Sequence, residues 1–216
     1  MKIVLRDFYD KCILVSIINA VMALENPDYC SLHSWDGNNY STNDWEGTRA
    51  TVTFYNDGCV AACRDENNER LTLLKDADCY LNGAPEHIYT LANNESFQYL
   101  LENVGNKDVP LITSAFWILK DTLYSIDMQS DMMKNGMHIL KDQLLADTDR
   151  IIEKNVEDYD MSSAQIEFAK YLFDLKMKAA EHPVQIKAKD FPNIFDQSQN
   201  YNDGIEALKE IGIIIL

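Results

Sequence analysis

The sequence predicts an α+β fold: a mainly antiparallel sheet with a β-hairpin at about 48–64, packed by an N-terminal helix and several later helices. Three observations carry this expectation. Thr51 to Tyr55 is β-branched or aromatic, Asn56-Asp57-Gly58 is turn chemistry, and Cys59 to Cys63 is a second short apolar run; that is a hairpin pattern. Leu5, Phe8, Tyr9, Cys12 and Ile13 recur at helical spacing, and apolar residues then surround the axis as far as Leu24, as in a helix whose second half is central core. Ser162 and Gln165 form a capping box ahead of Ile166, Ala169, Phe173, Met177 and Ala180, which sets a third strong element as a helix.

Taken in order, the first helix runs from about Leu5 to Glu25 and stops at Asn26-Pro27, because the residue before a proline avoids the helical region. Asn19 inside it is either hydrogen-bonded in the core or at a partial surface. Tyr29 to Trp35 reads as a strand, Asp36-Gly37-Asn38-Asn39 as a turn, and Tyr40 to Thr42 as a short return strand. A loop from Asn43 to Gly47 holds Trp45 between Asp44 and Glu46. With Gly58 left-handed and a three-residue loop, the hairpin places Tyr55 opposite Cys59, Phe54 opposite Val60 and Val52 opposite Ala62.

Glu69 to Tyr80 reads as helical. Pro85 opens a further helical region after Gly83, with Ile88, Leu91, Ala92, Phe97, Leu100, Leu101 and Val104 on buried faces, a split at Asn93-Asn94, and Gly105 just past the end. Val109 to Leu119 is apolar on both alternating faces, as in an internal strand covered on both sides. Ser125 to Asn135, Asp147 to Glu157, Ser162 to Glu181 and Gly204 to Ile211 read as helices. Val184, Ile186 and Ala188 mark a half-buried strand, Phe191 to Asp203 an irregular connection, and Ile213 to Leu216 a terminal strand. No stretch has a linker's composition, so residues 1–216 read as one α+β domain, with 105–110 and 158–162 as the places where a subdivision would fall.

The chain has 216 residues and a formal net charge of -16. That charge opposes direct binding of nucleic acid or of an anionic membrane surface and favours a basic partner or high solubility. It is uneven: between Glu25 and Glu69 nine acids face only Arg49 and Arg64. Five cysteines at irregular spacing do not form a disulfide framework, so a reduced, cytoplasmic setting is expected. The longest apolar run, Cys12 to Leu24, is interrupted by Ser16 and Asn19 and is shorter than the roughly 20 residues a membrane helix needs.

No metal, cofactor or catalytic motif emerges. Cys59 and Cys63 on one strand stand about 13 Å apart, too far to share a zinc ion or a disulfide. The four histidines are isolated from one another and carry no metalloprotease pattern. Glu153, Glu157, Asp158 and Asp160 could gather a divalent cation, but a solvated helix end accounts for them. Cys30, His33 and Asp36 are near in sequence, yet positions 30 and 33 of a regular strand face opposite ways. They define the alternative reading, a small cytosolic enzyme with a dispersed Cys/His/Asp site.

The aromatic and acidic residues form the more informative set. Trp35, Tyr40 and Trp45 lie in or beside polar turns, interleaved with Asp36, Asp44 and Glu46, and flanked by Asp57, Asp65, Glu66 and Glu69. Buried aromatic anchors with a polar rim characterise protein interfaces, and an acidic rim steers a basic partner. The same residues equally suit rings that cap a sheet and acids that keep it soluble. In profile, small, acidic and without a catalytic motif, the chain is similar to bacterial toxin-immunity proteins and to phage anti-defence proteins such as anti-CRISPRs. That resemblance implies inhibition of a basic, nucleic-acid-handling partner by occlusion of its positive surface, with no cofactor. A third reading is a scaffolding subunit that pairs through the Ile213–Leu216 strand.

Overall fold

A computed structural model describes residues 1–180, 182–195 and 201–216. The fold is α+β. In chain order the elements are α1 (Leu5–Ala23), β1 (His33–Asp36), β2 (Asn39–Asn43), β3 (Thr48–Tyr55), β4 (Gly58–Asp65), α2 (Glu86–Asn94), β5 (Leu101–Val104), β6 (Lys107–Pro110), β7 (Ser114–Leu119) and β8 (Thr122–Tyr124). There follow α3 (Gln129–Lys134), α4 (Lys141–Leu145), α5 (Thr148–Tyr159), α6 (Ser163–Ala179), β9 (Val184–Ile186), α7 (Asn202–Glu210) and β10 (Ile213–Ile215). No helix among the described residues is long and apolar enough to cross a membrane.

The chain forms two compact units, one of Met1–Tyr9 with Asn38–Leu145, the other of Asp10–Gly37 with Ala146–Leu216. Neither 105–110 nor 158–162 is where they divide. Each unit is assembled from separate stretches of chain, so no linker composition marks the change.

In the first unit, β2, β3, β4, β7 and β8 are antiparallel neighbours in that order. The β3–β4 hairpin exists, but its register differs from expectation: Phe54 lies opposite Cys59, Thr53 opposite Val60 and Val52 opposite Ala61. The loop is the two-residue Asn56-Asp57 turn, and Asn56, not Gly58, has the positive φ (42°). Gly58 is glycine for a different reason. It starts β4, and a Cβ there would lie 2.7 Å from the Ile118 carbonyl oxygen and 2.8 Å from Leu119 Cδ2. Close strand approach, not a left-handed conformation, selects the residue.

The observed register puts apolar side chains on both faces. On one face, Phe54 and Phe116 pack against Phe8, with ring centroids 5.6 and 6.3 Å away. On the other, Val60, Ala62, Ala115 and Trp117 join Ile88 and Ala92 of α2 and Phe97 and Leu100 in one buried cluster. Each large apolar side chain fully buried in this way contributes about 1.5–3 kcal/mol. Of the strand expected over Val109 to Leu119, only the second half is one strand covered on both sides: β7 is buried from Ser114 to Ile118, whereas Val109 and Pro110 belong to β6.

Local corrections have local causes. Gly105 ends no helix; with Asn106 it makes the two-residue turn of the β5–β6 hairpin, at φ 59° and 66°, a turn that needs two left-handed residues. Glu69 to Tyr80 is two short 3-10 turns, Glu69–Leu73 and Ala77–Leu81, started by the Asn68 and Asp76 side chains and separated by left-handed Leu74. Tyr29 to Trp35 is not all strand: Pro27–Ser31 is a 3-10 turn capped by Asn26, and the strand begins at His33.

In the second unit the Ser162–Gln165 capping box closes the start of α6, with Ser162 N–H donating to Gln165 Oε1 at 2.7 Å and Gln165 N–H to Ser162 Oγ at 3.3 Å. Asn19 is a core residue, 1% exposed. The terminal strand β10 pairs in parallel with β9, Ile213 opposite Val184 and Ile215 opposite Ile186. Glu181, where α6 was expected to end, and residues 196–200 of the expected irregular connection lie outside the described residues.

Candidate functional site

The best-built surface feature of the first unit is the loop between β2 and β3. Asp44 organises it: its Oδ1 accepts from Glu46 N–H at 2.9 Å and from Thr48 N–H at 2.8 Å. Asn43 Oδ1 accepts from Trp45 N–H at 3.3 Å. These bonds hold Trp45 at φ 58°, a conformation that costs a non-glycine residue about 1–2 kcal/mol. The indole is 58% exposed. A large apolar ring is thus presented to water on a backbone that its neighbours hold in place.

The loop after β4 is tied to it. Glu66 N–H donates to the Gly47 carbonyl at 2.9 Å, Asn67 Nδ2 donates to the Glu46 carbonyl at 3.2 Å, and Asp65 Oδ1 accepts from Asn67 N–H at 2.9 Å. Asp44, Trp45, Glu46, Asp65 and Glu66 are therefore neighbours, and Glu69 follows at the next turn. Glu66 also faces two cations, Arg49 at 3.5 Å and Arg64 at 3.7 Å. Both arginines bond Glu102 more closely, at 2.7 and 2.5 Å, and the Arg64 hydrogen bond is the chief reason the Glu102 carboxyl sits below its usual range. Glu46 is exposed.

The other expected contact residues are elsewhere. Tyr40 is fully buried, and its hydroxyl accepts from Gln143 Nε2 at 3.1 Å. Trp35 belongs to the second unit and is 8% exposed; its indole N–H donates to Ser16 Oγ at 2.9 Å, and its backbone N–H to Glu210 Oε2 at 2.9 Å. A short turn beside a ring says nothing about which way the strand aims it, and Ser16 supplies the polar partner a buried indole needs. Asp36 is exposed but also lies in the second unit. Asp57 is in the β3–β4 turn, at the far end of the strand from Trp45. Sequence reasoning missed Arg49, Arg64 and Glu102, which anchor the loop base; the expected register set Arg49 opposite Asp65, and only the observed one brings the two arginines face to face.

The Cys30, His33 and Asp36 positions, near one another in sequence, lie in the second unit. Burial, then Asp203, Asp28 and Glu210, push the Cys30 thiol up, whereas an activated thiolate needs the opposite. Withdrawal of the ring from water pushes the half-buried His33 down to about 4. No group of three potential metal ligands occurs among the described residues.

Two expected results follow from these placements. His33 is neutral in the fold but titrates near 6.5 when unfolded, so its contribution is complete above about pH 6.5 and is lost as pH falls toward 4. Between pH 7 and 5 the loss is about 1–2 kcal/mol. His33→Gln should flatten that part of a urea-unfolding stability profile. Among the thiols, Cys79 is exposed, Cys30 intermediate, and Cys12, Cys59 and Cys63 buried, with Cys63 pushed up to about 12 by burial. Maleimide labelling of the native protein should modify Cys79 first, and mass spectrometry should find the three buried thiols protected until unfolding.

Comparison of the chain with protein-family models, curated proteins and solved structures gave no match.

Proposed function

We propose that the protein is a binding inhibitor that covers the positive surface of a basic, nucleic-acid-handling protein. Trp45 is its anchor and the carboxylates of Asp44, Glu46, Asp65, Glu66 and Glu69 are its steering rim. The observation that carries this reading is the exposed indole, held in a left-handed turn by Asp44 and Asn43, on a chain of net charge -16. The ring supplies desolvated area and the acids raise the encounter rate. Individual rim charges matter little; together they set the salt dependence. The mechanism is occlusion: the acidic surface takes the place of the phosphates that the partner would hold. A cytoplasmic site of action belongs to the same proposal.

The test is affinity capture from a bacterial lysate at moderate salt, followed by nucleic-acid binding assays on what is retained. Recovery of a basic protein whose nucleic-acid binding falls as this protein is added supports the reading. Recovery of no basic or nucleic-acid-handling protein counts against it.

A further inference from the structure

At the opposite end of β3 from Trp45 lies an open groove of about 630 Å³, between Tyr55 and helix α2. Tyr55 forms one wall and is 46% exposed. Glu86, His87, Leu91 and Asn94 of α2, with Glu95 just past its end, form the other. Positions 87, 91 and 94 recur at the spacing of one helix face, while Ile88 and Ala92 turn into the core cluster. Glu95 is positioned by the sheet: its Oε2 accepts from Asn39 Nδ2 at 2.9 Å, and the same amide nitrogen donates to the Tyr99 hydroxyl at 3.2 Å. The groove thus offers two carboxylates, one of them held by Asn39, an aromatic ring and partly buried Leu91. Among the described residues, no lysine or arginine lines it.

That combination suits a cation on an aliphatic stem. The charged head meets the carboxylates and the face of Tyr55, and the methylenes lie along Leu91. The same carboxylates repel an anion. We propose that the groove seats an arginine or lysine side chain from a basic segment of the partner, as a second contact distinct from the Trp45 loop. The proposal rests on the basic-partner reading and adds to it where a cationic side chain is held. Seven residue steps along β3 separate the two contacts by about 23 Å at about 3.3 Å per step, a span that one interface of about 800 Å² per partner covers.

The test is an NMR titration of the isotope-labelled full chain with a capped tetra-arginine peptide. Wild type is compared with Glu86→Gln/Glu95→Gln, which keeps side-chain shape and the acceptor for Asn39, and with Tyr55→Leu, which keeps apolar bulk. The expected result is amide shift changes centred on Tyr55, His87 and Asn94, and a dissociation constant at least about tenfold weaker in both variants, with unfolding midpoints unchanged. Trp45→Ala should leave peptide affinity as it is. Shifts centred elsewhere, or equal affinity in the variants, overturn the groove. If the peptide binds in the groove but lysate capture yields no basic protein, cation recognition stands and the partner reading fails. If a captured partner binds both groove variants as tightly as wild type, the groove proposal fails and the partner reading stands.

Discussion

Gly204→Ala will destabilise the second unit more than any other glycine-to-alanine change. A Cβ at this position would lie 2.7 Å from Leu24 N, 2.7 Å from Leu24 Cδ2 and 2.8 Å from the Ala20 carbonyl oxygen. Two of the three obstacles are backbone, so the clash is relieved only by moving α7 off the end of α1. Overpacking of this kind costs about 1–3 kcal/mol, occasionally more. Alanine's better helix propensity returns at most about 1 kcal/mol. A net loss of about 2 kcal/mol is expected in urea unfolding. Gly58→Ala should behave alike in the first unit, where the Ile118 carbonyl is in the way. Gly37→Ala is the control: nothing lies within 4 Å of its Cβ and only the positive φ (60°) opposes it. Equal losses at Gly37 and Gly204 would show that close approach is not what selects glycine at 204.

Trp45→Ala will weaken binding to the captured partner at least about 30-fold, the roughly 2 kcal/mol of an aromatic hot spot, and leave the fold intact. The informative companion is Trp45→Gly. Since Trp45 holds φ 58°, glycine removes a conformational cost and should stabilise the folded chain by up to about 1 kcal/mol, while binding falls as in the alanine variant. Opposite signs for stability and affinity separate a residue kept for contact from one kept for folding. By contrast, Trp35→Ala removes a buried ring bonded to Ser16 and should cost about 3–5 kcal/mol of stability.

What the sequence shows of this fold is what local patterning controls. The capping box of α6, the two-faced apolar run of β7 and the stop at Asn26-Pro27 are all written in adjacent residues. The β3–β4 hairpin was legible as a pair of strands, but its register was not, because the role of Gly58 is set by Ile118 and Leu119, some sixty residues away. The two-unit division was hidden because each unit is built from discontinuous stretches. The same limit applies to the candidate site. The Asn43–Gly47 loop and its tryptophan are local, and the structure keeps Trp45 at the surface. Trp35 and Tyr40 share the same polar setting in sequence and are buried, because Ser16 and Gln143 satisfy them from distant segments. The groove between Tyr55 and α2 exists only once the sheet brings the hairpin end to that helix.

The proposed contact can be read directly from tryptophan fluorescence. Of the three tryptophans, Trp45 is 58% exposed, Trp35 8% and Trp117 5%, so acrylamide quenching of the free protein reports Trp45, and Trp45→Phe should remove the quenchable component. Saturation with the captured basic partner should protect that component from acrylamide. A saturated complex in which Trp45 is quenched as readily as in the free protein would contradict the proposal that this loop is the binding surface.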